Sequence, residues 1–332
     1  MALSSLPVLD LSDLDRDPEA FRAQLRQVTH DVGFFYLVGH GIPQSQLDEL
    51  VATAEAFFAL PEGDKLAIEN VHSAQFRGYT RKGGELTNGK VDWREQIDFG
   101  IDRDEHPEGP DFWRLEGHNQ WPDALPAIED VADRYQAALL PVAHRLMQTW
   151  AEALGQRADV FDEAFRDPFV LTKIVRYPGE SDDEPAQGVG AHRDGGVLTL
   201  LYVQPGKGGL QVEHEGEWID APALDGAFVV NIGEMLELAT QGYLKATLHR
   251  VISPRVGDER ISIPFFYNPR LDARVPQLQL APELAAEARG VTADPTDSPI
   301  LEVYGENALR YRLRAHPNVA EIHHADLLAA RG

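Results

Sequence analysis

At 332 residues, 43% hydrophobic and 25% charged, the chain has the make-up of a soluble globular protein able to bury a large core in one domain or two intimately packed ones. A formal net charge of −24 is repelled by phosphate backbones and anionic lipid, so neither nucleic acid nor a membrane is an expected partner. The absence of cysteine excludes thiolate metal sites, iron–sulfur clusters, disulfides and cysteine nucleophiles; a metal, if bound, must use histidine and carboxylate.

The first residues, MALSSLPVLDLSDLDRD, lack a basic stretch followed by an apolar one, and no run approaches about 18 apolar residues, so a cytoplasmic protein without a membrane span is expected. Residues 7–11 read as a short strand. Phe21, Leu25, Val28 and Val32 then recur at helical spacing, which predicts an amphipathic helix over 12–32, ended by Gly33. An apolar run at 34–38 and a helix over 43–59, stopped by Pro61, follow. Residues 70–98, with FRGYTRKGGELTNG in the middle, read as a long loop over the surface or over an active site, in which Arg77, Tyr79 and Arg81 could face a ligand. Residues 103–124 are polar and proline-rich, anchored by Trp113 and Trp121. The strongest helix is 127–154, with one apolar stripe from Ile128 to Leu154 and a kink expected at Pro141; His144 points off that stripe and reads as solvated. From 168 onward come short apolar runs at 169–177, 197–203, 210–214, 218–220, 227–232, 249–252 and 261–267, a pattern that argues a β-sandwich or barrel, with one helical interruption at 234–241. The chain then turns polar and ends in a helical tail, where His323 and His324 read as surface residues.

Within residues 188–196, GVGAHRDGG, His192 and Asp194 stand two apart, and on an extended chain such residues project to one side, with Arg193 turned away. One imidazole and one carboxylate do not close a metal site. His249, in TLHRVISPR, is the candidate third ligand, and two histidines with one carboxylate leave adjacent coordination positions open, as in non-haem Fe(II) oxygenases. Arg260 and Ser262, in ERISIPFF, form a second same-face pair, a guanidinium and a hydroxyl. Singly, each has an ordinary structural explanation in a chain with 12 histidines: a core histidine, a surface ion-pair partner. The flanking glycines, the adjoining strand and the order of the elements favour the joint reading.

Six segments in this order resemble the isopenicillin N synthase-like group of Fe(II)/2-oxoglutarate-dependent dioxygenases: DVGFFYLVGHGIP (31–43), VGAHRDGGVLTLL (189–201), GGLQVEHEGEWIDAP (208–222), FVVNIGEMLELATQG (228–242), LHRVISP (248–254) and ERISIPFFYNP (259–269). The resemblance covers most of the chain. It implies a mixed α/β (α+β) fold, a distorted double-stranded β-helix, or jelly roll, flanked by helices chiefly from the N-terminal half. The corresponding division is an N-terminal region 1–125, a connecting helix 126–165, the jelly-roll core 166–275 and a C-terminal tail 276–332. It implies His192, Asp194 and His249 as Fe(II) ligands and catalytic centre, and Arg260 and Ser262 as the grip on the distal carboxylate of 2-oxoglutarate. Tyr177, in IVRYPG, matches a further contact to that carboxylate, although Val175 stands where plant members have asparagine. Arg77, Tyr79, Asn231 and Phe266 are the candidates for the substrate pocket; Phe265 also sits near it, and packing accounts for both phenylalanines. The implied reaction is O2-dependent oxidation of a small molecule, by hydroxylation, desaturation or cyclisation, with release of succinate and CO2. Within the family the alternatives are an oxidase working without 2-oxoglutarate, as isopenicillin N synthase does, and an ethylene- and succinate-forming variant. Outside it stand a non-catalytic ligand-binding jelly roll and a zinc hydrolase, the latter disfavoured because no general base accompanies the site.

Overall fold

The computed structural model describes residues 5–106, 108–179, 187–292 and 300–329. The N-terminal half contributes β1 (Val8–Asp10), β2 (Phe34–Val38), β3 (Gly78–Thr80), β4 (Leu86–Thr87), β5 (Lys90–Val91) and β6 (Glu95–Gly100). The apolar runs of the C-terminal half become β7 (Phe169–Pro178), β8 (Gln187–His192), β9 (Leu198–Val203), β10 (Leu210–His214), β11 (Glu217–Asp220), β12 (Phe228–Ile232), β13 (His249–Ile252) and β14 (Glu259–Asn268). A major sheet runs β1-β2-β12-β9-β14-β7-β6-β3, a minor sheet runs β11-β10-β13-β8, and β4 pairs with β5 in a small hairpin. Apart from the parallel β1–β2 pair, the pairings within the two sheets are antiparallel.

The major sheet is buried on both faces, and strand alternation sorts its residues between two cores. In β2, Phe34 and Tyr36 join Val189, Leu210, Val212 and Val251 of the minor sheet in an inter-sheet core. Phe35 and Leu37 point the other way, into a larger core shared with the helices Pro18–Asp31, Gln44–Phe58 and Ala127–Ala153. The same alternation governs β14: Ile261, Ile263 and Phe265 pack on the helix side, so Arg260, Ser262 and Phe266 face the space between the sheets. Phe35, Leu47, Tyr135 and Trp150 are fully buried in the larger core, each contributing about 1.5–3 kcal/mol relative to exposure. This is the two-layer jelly roll with helices on its outer face.

Four expectations are corrected. The helix over 12–32 is two, Asp13–Arg16 and Pro18–Asp31, because Pro18 has no N–H to continue the first; the Asp17 carboxylate caps the second by accepting from the Ala20 amide at 3.1 Å. Residues 70–98 are not one loop. They form a 3-10 turn and four strands, and every residue of β6 is buried. Hydrophobic periodicity is absent there because the buried groups are paired ions: Glu95 with Lys65 at 3.1 Å and Arg176 at 2.9 Å, Asp98 with Lys173 at 3.1 Å and Arg312 at 2.8 Å. His324 is fully buried, stacked on Phe76 with its Nε2 2.8 Å from the Ala74 carbonyl oxygen, and His323 Nε2 lies 2.9 Å from that of Val71. The C-terminal helices Tyr304–Ala315 and Pro317–His323 therefore fold back over the chain rather than trail from it. Finally, Arg193 is not turned away: β8 stops at His192, alternation ends with it, and Arg193 lines the same cavity as its neighbours.

The fold-back buries His316 completely, with Nε2 3.6 Å from the Glu85 carboxylate and 3.2 Å from Arg312. Burial, opposed by Glu85 and reinforced by Arg312, pushes this imidazole down to about 4. The unfolded chain, titrating near 6.5, binds the extra proton first, so the contribution is complete at neutral pH and is lost as pH falls from about 6.5 toward 4. Between pH 7 and pH 5 that loss is roughly 2 kcal/mol. Urea unfolding of His316→Gln is expected to show a correspondingly smaller drop in midpoint over this interval than the parent; an unchanged drop would place the acid sensitivity elsewhere.

Candidate metal centre and cosubstrate pocket

His192 ends β8 and His249 opens β13, and the two residues are directly paired across the ladder, with ring centroids 4.3 Å apart. Past His192 the chain bends, bringing Asp194 round to the same point. The bend packs against the start of the helix Glu234–Ala239, where the amides of Glu234 and Met235 donate to the carbonyls of Asp194 (2.8 Å) and Gly196 (3.0 Å). Gly233 makes this approach possible, since a Cβ there would overlap the carbonyl groups of Gly196 and Asp194. The candidate donor atoms of His192, Asp194 and His249 all lie within 4.8 Å of one another.

Each donor is aimed by a neighbour. Nδ1 of His192 lies 2.8 Å from the Gly190 carbonyl oxygen and Nδ1 of His249 lies 3.0 Å from that of Thr247. A carbonyl can only accept, so Nδ1 carries a proton in both rings, and in the neutral imidazole the Nε2 lone pair is left free. Both Nε2 atoms face Asp194 Oδ1, at 3.5 and 3.6 Å. Oδ2 of Asp194 is already occupied, accepting from Thr199 Oγ1 at 2.6 Å and Asn231 Nδ2 at 2.7 Å, residues paired across β9 and β12. Two imidazole nitrogens and one carboxylate oxygen thus converge with their outer partners in place, a donor set that suits Fe(II) and leaves positions open. Burial pushes the Asp194 carboxyl up, but the adjacent His249 and His192 outweigh it and hold the group well below the usual carboxylate range. Burial and the charge of His192 push His249 down to about 4, while Asp194 overcomes burial to raise His192. At neutral pH the acid is ionised and His249 is neutral, the states a ligand needs.

A cavity of about 810 Å³ runs from these three residues to Arg260. Arg260 is 1% exposed; its Nη1 donates to Ser262 Oγ at 2.9 Å, the Tyr177 ring lies 4.9 Å from the guanidinium, and Nε and Nη2 are buried with no hydrogen-bond partner. A buried guanidinium with unused donors is costly unless an anion completes it. Arg260 and Tyr177 are paired residues of β14 and β7, and Gly188 leaves room for the phenol ring, with which a Cβ would collide. The position two before Tyr177 holds Val175, packed in the inter-sheet core, so it offers no polar contact.

Of the proposed pocket residues, Asn231 and Phe266 line the cavity, whereas Arg77 and Tyr79 do not. Tyr79 is buried, donating to Glu95 at 2.6 Å, and the Arg77 guanidinium lies 5.7 Å from the centre of the Phe169 ring, behind the cavity wall. Arg81 pairs with Glu69. Sequence reasoning missed Thr199, whose only signal was a polar residue inside the apolar run VLTLL. It also missed Glu85 and Lys173, which join at 2.9 Å in the wall, and Tyr304 and Tyr311 of the C-terminal helix.

Comparison with known proteins agrees with this geometry. Residues 6–124 match the family described as non-haem dioxygenase in morphine synthesis N-terminal, and residues 167–269 match the 2OG-Fe(II) oxygenase superfamily. The chain is 37% identical to the 2-oxoglutarate-dependent dioxygenase frbJ of Dothideomycetidae sp. (strain 11243), over 97% of this chain and 92% of that one. It is 35% identical to homoarginine-6-hydroxylase 2-ODD-C23.2 of Arabidopsis thaliana, over 84% of this chain and 82% of the relative. Among solved structures, JOX2 in complex with 2OG, Fe and JA superposes with a TM-score of 0.71 at 29% identity, covering 83% of this chain and 78% of that one. Fold, donor set and sequence relationship therefore converge: the chain belongs to the 2OG-Fe(II) oxygenase superfamily and is a dioxygenase dependent on Fe(II), 2-oxoglutarate and O2.

Proposed function

We propose that His192, Asp194 and His249 hold the iron, that Arg260 and Ser262 with Tyr177 hold the distal carboxylate of 2-oxoglutarate, and that the outcome is hydroxylation of a small polar molecule. Iron bound there with its cosubstrate would supply the oxidising power, 2-oxoglutarate and O2 becoming succinate and CO2 as one oxygen atom enters a C–H bond. The protein's own part is orientation and exclusion of water: Thr199 and Asn231 fix Asp194, and the Gly190 and Thr247 carbonyls fix the imidazoles. Residues 166–275 carry all of these groups, while region 1–125, with Thr87 among others, and the tail 276–332, with Tyr304 and Tyr311 among others, complete the cavity wall. Hydroxylation is favoured over desaturation or ring closure by relatives named as hydroxylases.

The observation that carries the reading is the bare, buried Arg260 guanidinium in the same cavity as the three converging ligands. The test is to add Fe(II) and 2-oxoglutarate without oxygen. A weak visible charge-transfer band is expected from the parent protein, and none from His249→Ala. Failure of the parent to give the band at saturating ligand would refute the assignment.

A further inference from the structure

Among the described residues, two opposite charges on the cavity wall beside the converging ligands have no counter-ion within ion-pair distance. Glu234 is half-buried, and its one side-chain partner is the Tyr311 hydroxyl, 3.3 Å from Oε2; among the described residues no lysine, arginine or histidine nitrogen comes within 4.0 Å of its carboxylate. Arg193, equally half-buried, donates from Nε to the Ala246 carbonyl at 3.0 Å, and among the described residues no carboxylate comes within 4.0 Å of its guanidinium. Each is within the other's field, yet they do not close on each other. Tyr311 and Ala246 hold them apart.

The other ions of the wall are differently placed. Glu85 takes Lys173 and Arg94, both at 2.9 Å, and Asp98 takes Lys173 and Arg312. Arg260 is reserved for the cosubstrate on the reading above, on which this inference rests. Partly withdrawing a charge from water without pairing it is costly, so two half-buried groups of opposite sign, separated by more than ion-pair distance in one cavity, describe the ligand that would complete both. We propose that the primary substrate is a zwitterion, an α-amino acid or a molecule ending in one, whose ammonium group pairs with Glu234 and whose carboxylate pairs with Arg193. A purely cationic ligand would leave Arg193 bare, and a dicarboxylate would meet Glu234 with like charge. Phe34, Leu201 and Phe266 line the same cavity and suit an apolar portion of the molecule.

The test uses full-length protein loaded with Zn(II) and 2-oxoglutarate, read by saturation-transfer NMR against the standard L-α-amino acids and L-ornithine, with succinate formation by the Fe(II) enzyme as second readout. At least one free amino acid is expected to bind and to stimulate succinate release. Its α-N-acetyl and carboxamide forms are each expected to bind about tenfold or more weakly, as loss of one charged hydrogen-bonded pair implies. Glu234→Gln should reproduce the weakening for the free amino acid and remove the penalty for the acetylated one. No binding by any panel member, or equal binding of free and blocked forms, overturns the proposal; the ligand series on the parent protein decides it even where the variant fails to fold. The anaerobic Fe(II)–2-oxoglutarate band separates the two readings. If the band forms and amino acids do not bind, this inference fails alone; if the band is absent, the site assignment beneath it has failed.

Discussion

Replacing Asp194 with alanine is expected to abolish iron retention and succinate formation together, in a protein that still folds. The carboxylate would be the one anionic ligand, and its loss leaves two neutral imidazoles whose Nε2 atoms face no third donor. Its strands are held by the inter-sheet core and not by the acid, so the circular dichroism spectrum should be retained. The neighbours supply a graded control. Thr199→Val and Asn231→Ala each remove one hydrogen bond to Oδ2 while leaving the three ligands in place, and each should weaken iron binding or turnover by about 10- to 100-fold. Metal content by mass spectrometry of protein purified without oxygen, alongside succinate assays, reads both effects. Retention of stoichiometric iron by Asp194→Ala would remove the carboxylate from the coordination proposal.

The same residues show what the sequence could and could not convey. The approach of His192, Asp194 and His249 was legible because strand registry in a two-sheet fold is set by hydrophobic pattern, and β8 and β13 carry enough of it to pair these histidines. Alternation likewise put Arg260 and Ser262 on one face, since Ile261 and Ile263 are drawn to the opposite core. Alternation failed one residue past the strand end, where Arg193 reaches the cavity because the chain is already turning. It failed again in β6, whose Glu95, Gln96 and Asp98 look solvated in sequence and are buried by ion pairs and side-chain hydrogen bonds, several to partners scores of residues away. Long-range polar pairing leaves no periodic trace. His323 and His324 were misread for the same reason: their partners, the carbonyls of Val71 and Ala74, lie 252 and 250 residues earlier in the chain.

Arg260→Met is expected to separate cosubstrate binding from folding more sharply than any other single exchange. In the cosubstrate-free protein the guanidinium is buried with Nε and Nη2 unpaired, and burial lowers its affinity for the proton. Removing such a charge in favour of an unbranched apolar side chain of comparable length is neutral or stabilising, so the ligand-free variant should melt no lower than the parent. The cost falls on the cosubstrate. Two charge-assisted hydrogen bonds at about 1.5–3 kcal/mol each amount to roughly 10²- to 10⁴-fold in 2-oxoglutarate affinity. The thermal stabilisation that 2-oxoglutarate gives the metal-loaded parent, which follows the logarithm of ligand concentration over Kd, should therefore vanish in the variant at concentrations that saturate the parent. Iron content should be unchanged, because Arg260 lies on β14 in the major sheet while His192 and His249 lie on β8 and β13 in the minor one. A structural arginine would behave in the opposite way, lowering the ligand-free melting temperature and leaving the 2-oxoglutarate shift intact; that pair of results would take Arg260 out of the cosubstrate site.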